Sequence, residues 1–137
     1  GHVTRSIIAE GCMVYGTVKN SVVFPGVTIE KDTVIEDSII MSNSTIKAGS
    51  QLSCTIVGEK TVIGRNVITG AGEYRENTFN PKVYQSKITA IGSSSTVPDN
   101  AVIGCNVVLD NHLLPQDFKS LDIPSGSAVI KGGEANV

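Results

Sequence analysis

Thr89-Ala90-Ile91-Gly92-Ser93-Ser94-Ser95-Thr96-Val97-Pro98-Asp99-Asn100-Ala101-Val102-Ile103-Gly104-Cys105-Asn106-Val107-Val108-Leu109 decides the reading of the whole chain. Ile91, Val97, Ile103 and Leu109 stand six residues apart, and two places before each stands Thr89, Ser95, Ala101 or Val107. Asn100 and Asn106 follow Val97 and Ile103 by three places. A period of six suits neither an α-helix nor an alternating strand. It suits a coil with three flat sides, each one hexad long and closed by a corner, which is the hexapeptide β-helix repeat. The large aliphatic points into a narrow prism and stacks on its equivalent in the next coil. The second inward position has less room, so it takes Ser, Thr, Ala or Val. The corner needs a backbone that visits positive φ, which favours Gly, Asn and Asp.

The pattern extends backward through residues 3–70. From Ile63 the inward aliphatics fall at Val57, Leu52, Ile46, Met41, Ile35, Ile29 and Val23. Two steps are five residues, Met41 to Ile46 and Leu52 to Val57, and are expected to be tightened corners. The small partners are Ser21, Val27, Thr33, Ile39, Ser44, Ser50, Thr55 and Thr61, with Ile39 alone breaking the rule. Corner positions include Gly26, Asp32, Gly49 and Asn66. Ser6-Ile7-Ile8 and Val14-Tyr15-Gly16-Thr17-Val18 read as an earlier, less regular coil. The expectation is an all-β, single-stranded parallel β-helix of about five coils, stacked about 4.8 Å apart to roughly 20–25 Å.

One domain spans 3–137. Its coils cover 3–70 and 88–110. A loop at 71–87 lacks the hexad and carries Tyr74, Phe79 and Tyr84, which either meet a partner or fold back on the prism. Residues 111–137 form a C-terminal cap, in which Leu113, Leu114, Phe118, Leu121 and Ile123 cover the open end and 128–131 add a strand. No such cap precedes Val3, so a preceding domain is expected to cover the first coil. Gly1-His2 reads as the scar of a cleaved tag.

Aromatic residues make up 4% of the 137 residues and Trp is absent, as a thin prism requires. A net charge of −2 without a basic cluster argues against nucleic acid. No apolar run reaches membrane length, and no signal-peptide pattern is present. Cys12, Cys54 and Cys105 are odd in number and lack CxxC spacing, so reduced thiols and a cytoplasmic setting are expected.

Chemistry-bearing residues are sparse. Apart from His2, the chain has one histidine, His112, too few for a three-histidine zinc site. His112 reads as a surface residue of an Asp-Asn-His turn. Glu36-Asp37 and Asp99 read as solvated corners, and Cys54 and Cys105 as fillers near the prism wall. No phosphate-cradling glycine loop is present. Among the spread of basic residues, Lys60 and Arg65 lie close to one hexad apart and are the candidates for holding a phosphorylated effector.

Three segments carry a closer resemblance. These are Gly16-Thr17-Val18-Lys19-Asn20-Ser21-Val22-Val23-Phe24-Pro25-Gly26-Val27-Thr28-Ile29, Val34-Ile35-Glu36-Asp37-Ser38-Ile39-Ile40-Met41 and Cys54-Thr55-Ile56-Val57-Gly58-Glu59-Lys60. Together they resemble the C-terminal β-helix of glucose-1-phosphate adenylyltransferases, over roughly residues 5–130. The resemblance implies left-handed coils. It implies a parent enzyme that joins ATP and glucose 1-phosphate into ADP-glucose and pyrophosphate for glycogen synthesis, with Mg²⁺, in an N-terminal nucleotidyltransferase domain absent from this chain. It further implies a role in tetramer assembly, with the catalytic domain and identical or homologous subunits as partners. A sugar phosphate or nucleotide effector is implied too, whose basic contact falls on Lys60 or is replaced by Glu59. This chain itself is expected to hold no catalytic residue, cofactor or metal. The rival readings are a stand-alone hexapeptide acyltransferase using His112, the β-helix of another sugar-nucleotide pyrophosphorylase, and an oligomerisation rod without a ligand.

Overall fold

The computed structural model describes residues 1–71 and 87–131, and the backbone of 135–136. The loop expected over 71–87 lies, from 72 to 86, outside the described residues, together with Tyr74, Phe79 and Tyr84. The described chain is a parallel β-solenoid of about seven turns with three faces. The first face stacks His2–Thr4, Thr17–Lys19, Val34–Glu36, Gln51–Ser53, Ile68–Ala71, Val102–Gly104 and Asp122–Ile123. The second stacks Ile7–Ile8, Val22–Val23, Ile39–Ile40, Thr55–Val57, Thr89–Ile91, Val108–Leu109 and Ala128–Val129, with Ala135–Asn136 added antiparallel at its end. The third is shorter and runs from Met13–Val14 through Thr28–Ile29, Thr45–Ile46 and Val62–Ile63 to Thr96–Val97.

The hexad rule explains the interior. Val23, Ile29, Ile35, Ile46, Leu52, Val57, Ile63, Ile91, Val97, Ile103 and Leu109 are all buried in one aliphatic core. Two expectations need correction. The inward residue of the third turn's second face is Ile40, fully buried, and not Met41. Its small partner is Ser38 and not Ile39, which points outward and is 37% exposed. Ile39 is therefore no exception to the small-residue rule, because Ser38 holds that position. The five-residue step runs from Ile35 to Ile40, matching Leu52 to Val57 and Val18 to Val23, so in these turns the tight corner is the one between the first and second faces; it widens to six residues from Ile103 to Leu109. Equivalent residues of the second, third and fourth turns accordingly pair seventeen apart, as Val18 with Ile35 and Ile35 with Leu52, whereas the first turn pairs fifteen apart, as Val3 with Val18.

The coil count is about seven rather than about five. At the start, His2–Thr4 and Ile7–Ile8 already pair with the turn above. That turn is harder to read because Val3 and Ile7 are exposed. At the far end, Asp122–Ile123 and Ala128–Val129 continue the first and second faces. Their period is masked by a detour: a 3-10 turn at Pro115–Asp117 stands where a third-face strand would run. Seven strands span about 30 Å at parallel-sheet spacing.

The small inward residues do more than fit. Ser21, Ser38 and Thr55 each donate a hydroxyl bond to the carbonyl two residues back, across the tight corner, at 2.7–2.9 Å. Each of the two serines also accepts the N–H of its equivalent one turn on, Ser38 onto Ser21 and Thr55 onto Ser38, both at 3.1 Å. At the wider corners the hydroxyl reaches the next turn, as Ser44 to Gly58 and Ser50 to Gly64, both at 2.7 Å. Buried backbone groups freed by each corner are thus satisfied, and no described buried side-chain polar atom lacks a partner. Ser38→Ala leaves the Thr55 N–H without its acceptor. We expect a loss of about 1–3 kcal/mol in urea unfolding, with Ser38→Thr closer to wild type.

On either side of the detour, Leu113 and Ile123 are buried, whereas Leu114 and Leu121 stay exposed. Phe118 packs partly against the core. Asp117 Oδ2 accepts the Leu114 N–H at 2.8 Å and pairs with Lys131 Nζ at 2.9 Å. The Leu114 bond first, then Lys131, holds its carboxyl below the usual aspartate range. A depressed carboxylate stabilises the fold above its unfolded pKa, and that contribution is lost as pH falls through the folded value. The Leu114 amide resonance, which reports the Asp117 carboxylate directly, is therefore expected to titrate below the ordinary aspartate value. Asp117→Asn should abolish that step.

Candidate functional site

Corners present side chains to solvent in three vertical columns. Between the first and second faces stand Arg5, Asn20, Asp37, Cys54, Asn106 and Gly126, all at positive φ. Between the second and third stand Gly11, Gly26, Asn43, Lys60, Ser94 and His112. Between the third and first stand Asp32, Gly49, Asn66 and Asn100. The left-handed backbone costs an ordinary L residue about 1–2 kcal/mol, so Gly, Asn and Asp dominate. Lys60 (φ 54°) is an unusual occupant, but it shares that status with Arg5, Cys54, Ser94 and His112. Cys54 is thus a corner residue rather than wall filler.

Lys60 and Arg65 are both exposed, and they flank one strand, Val62–Ile63. They occupy different corners: Lys60 follows the second face, and Arg65 immediately precedes Asn66 after the third. Five residues of extended chain span at most about 17 Å, so an effector touching both would lie along the third face. Lys60 donates its N–H to the Ser42 carbonyl at 3.0 Å. Glu59 beside it is exposed as well.

Arg65 has a nearer companion that hexad reading missed. The pairing of Thr28, Thr45 and Val62 in adjacent turns stacks Lys31, Ala48 and Arg65 in one column, three residues beyond each. These three, with Tyr15 and Glu30, line a groove of about 460 Å³. The signal lay in the sequence as a period of seventeen: residues 31, 48 and 65 recur at that interval. Glu30 Oε1 accepts the Ala48 N–H at 3.0 Å, and Asp99 Oδ1 accepts the Arg65 N–H at 2.8 Å.

The other flagged residues stay apart. His112 is exposed at its corner and donates its N–H to Ser93 O. Asp37 accepts Asn20 Nδ2 at 2.7 Å, a corner-to-corner contact. Cys12 and Cys54 are free thiols, and Cys105 Sγ sits 3.3 Å from Gly70 O. Among the described residues no three His, Cys, Asp or Glu gather in a way that would hold a metal, and no helix is long and apolar enough to cross a membrane.

The three-faced stack and its polar corners define a parallel β-helix of the hexapeptide-repeat class. The profile described as GlmU-like, C-terminal hexapeptide matches residues 1–91, and the chain belongs to that family. Similar proteins named glucose-1-phosphate adenylyltransferase occur in several bacteria. The Acetivibrio thermocellus protein is 47% identical over 134 residues, covering 98% of this chain and 32% of the relative. That of Ruminiclostridium cellulolyticum is 47% identical over 97% of this chain and 31% of the relative. The Thermotoga maritima protein is 43% identical over 93% of this chain and 30% of the relative. The chain thus spans about a third of the length of the relatives it matches.

Proposed function

We propose that this chain is the C-terminal assembly and regulatory part of a glucose-1-phosphate adenylyltransferase. The observation that carries the reading is the near-complete match of this chain to about a third of each so-named relative. The enzyme makes ADP-glucose and pyrophosphate from ATP and glucose 1-phosphate, feeds glycogen synthesis in the cytoplasm, and draws on Mg²⁺ in its catalytic domain. The described residues gather no carboxylate cluster suited to that ion, so no step of the reaction is assigned to them. The coils are proposed to wind left-handed, in keeping with the hexad pattern of the family.

The catalytic domain and neighbouring subunits are proposed to pack against the solenoid, with a tetramer as the assembly. The exposed apolar residues of the first turn, Val3, Ile7 and Met13, support a covered surface there. Lys60 and Arg65 are proposed to contact a sugar phosphate or nucleotide effector, each from its own corner.

Two experiments test this. The 137-residue chain incubated with ATP, glucose 1-phosphate and Mg²⁺ should yield no ADP-glucose, and formation of ADP-glucose would contradict the assignment. In the full-length enzyme, Lys60→Gln should weaken activation or inhibition by fructose 1,6-bisphosphate or AMP and leave the unactivated rate near wild type. An unchanged effector response would remove Lys60 from the site.

A further inference from the structure

We propose that the groove between the third and first faces binds an organic phosphate through Lys31 and Arg65, with Tyr15 receiving a planar ring. The proposal shares Arg65 with the effector contact put forward above but rests on the column geometry of this chain and lies at a different corner from Lys60.

Three observations carry it. First, register fixes the spacing. Lys31 and Arg65 are two turns apart, about 9.6 Å at parallel-sheet spacing, with Ala48 between them. A methyl group at the middle position leaves a gap into which both flexible cations can reach. A larger side chain there would fill it. Second, both cations are available. Neither Lys31 nor Arg65 has an ion-pair partner among the described residues, where the one ion pair is Lys131 with Asp117. The adjacent carboxylates are engaged by backbone: Glu30 holds the Ala48 N–H and Asp99 the Arg65 N–H. Third, an exposed aromatic ring completes a lining that otherwise adds only Ala48 and the backbone-held Glu30 carboxylate. Tyr15 is 57% exposed and stands at the same end of the third face as Glu30, one turn away.

The chemistry of the occupant follows from these parts. Two cations converging on one gap suit a compact dianion, which takes charge-assisted bonds from both, and a guanidinium matches phosphate oxygens geometrically. Glu30 also lines the groove, so the three charged side chains sum to a single positive charge. That disfavours a ligand charged along its length and favours one with a localised phosphate and a neutral body. The groove extends from Arg65 in the fourth turn to Tyr15 in the first, three turn spacings or about 14 Å. This length accommodates a phosphate with a ring attached, the ring lying on the tyrosine face.

Phenyl phosphate is the probe, with inorganic phosphate and phenol as its two halves. Titrated into the ¹⁵N-labelled 137-residue chain, phenyl phosphate should shift the Ala48 and Arg65 amides, and should bind more tightly than inorganic phosphate. Lys31→Gln and Arg65→Gln should each weaken binding about fivefold or more, and Ala48→Glu should eliminate it while the rest of the spectrum stays folded. Added salt should weaken binding. Lys60→Gln, on the other corner, should leave it unchanged. The proposal is overturned if the Ala48 and Arg65 amides do not respond, or if Lys31→Gln and Arg65→Gln both bind like wild type. A loss with Lys60→Gln but not Lys31→Gln would move the anion to the Lys60 corner, overturning the groove while sparing the effector proposal.

Discussion

Ile40→Ala is expected to destabilise the chain by about 2–5 kcal/mol, whereas Met41→Ala should cost less than about 1 kcal/mol. Ile40 is fully buried, with Val23 and Val57 paired to it in the turns on either side. In a solenoid each layer touches only its neighbours, and the stacked backbones hold their spacing, so a mid-stack cavity has little means of collapsing. Met41 lies at the half-exposed corner and loses only partial contacts. Urea unfolding of the two variants measures the difference. The reverse order would restore the hexad reading in which Met41 faces inward and would displace the tight corner.

Gly58→Val should cost about 3 kcal/mol and is expected to be among the most damaging single substitutions in the chain. Gly58 is buried between Val57 and the exposed Glu59-Lys60 corner. A Cβ at this position would lie 2.6 Å from the Ser93 backbone nitrogen and 2.8 Å from the Gly92 carbonyl carbon. Those atoms belong to the next turn's main chain and have no rotamer with which to yield. The Gly58 N–H to Ile91 O bond at 2.8 Å and the Ser44 hydroxyl bond to Gly58 O would both be strained. Phe24 and Met41, which precede equivalent corners in earlier turns, show that a side chain is tolerated where the next turn stays clear. Thermal unfolding should show a marked fall in midpoint for Gly58→Val and a smaller one for Gly58→Ala. Wild-type stability of Gly58→Val would mean that the turns carrying Gly58 and Gly92 are not in contact as described.

Most of the core could be read from residues 89–109 outward, because each hexad repeats the same steric demand: a large aliphatic inside and a small residue beside it. The small residue also carries a hydroxyl ladder, which explains why Ser and Thr outnumber Ala there. Two features escaped for physical reasons. A five-residue corner between the first and second faces shifts register by one place, so Ile39, Ile40 and Met41, three consecutive apolar residues, gave no internal clue to which one points in. The first turn also lacks a second neighbouring layer among the described residues, so its inward residues are exposed and break the pattern, as Val3 does. The candidate site was half legible. Arg65 stood out as an exposed cation, but its neighbour across the stack is Lys31, thirty-four residues earlier. That link requires the period of seventeen, which the hexads alone obscure.

The register of adjacent turns is the claim on which fold, corners and groove all depend. Nuclear Overhauser contacts between backbone protons of the 137-residue chain measure it directly. The structure predicts cross-strand contacts joining Val18 to Ile35 and Ile35 to Leu52, and Val23 to Ile40 and Ile40 to Val57. Contacts joining residues eighteen apart through this region, or the short-range pattern of a helix, would contradict it.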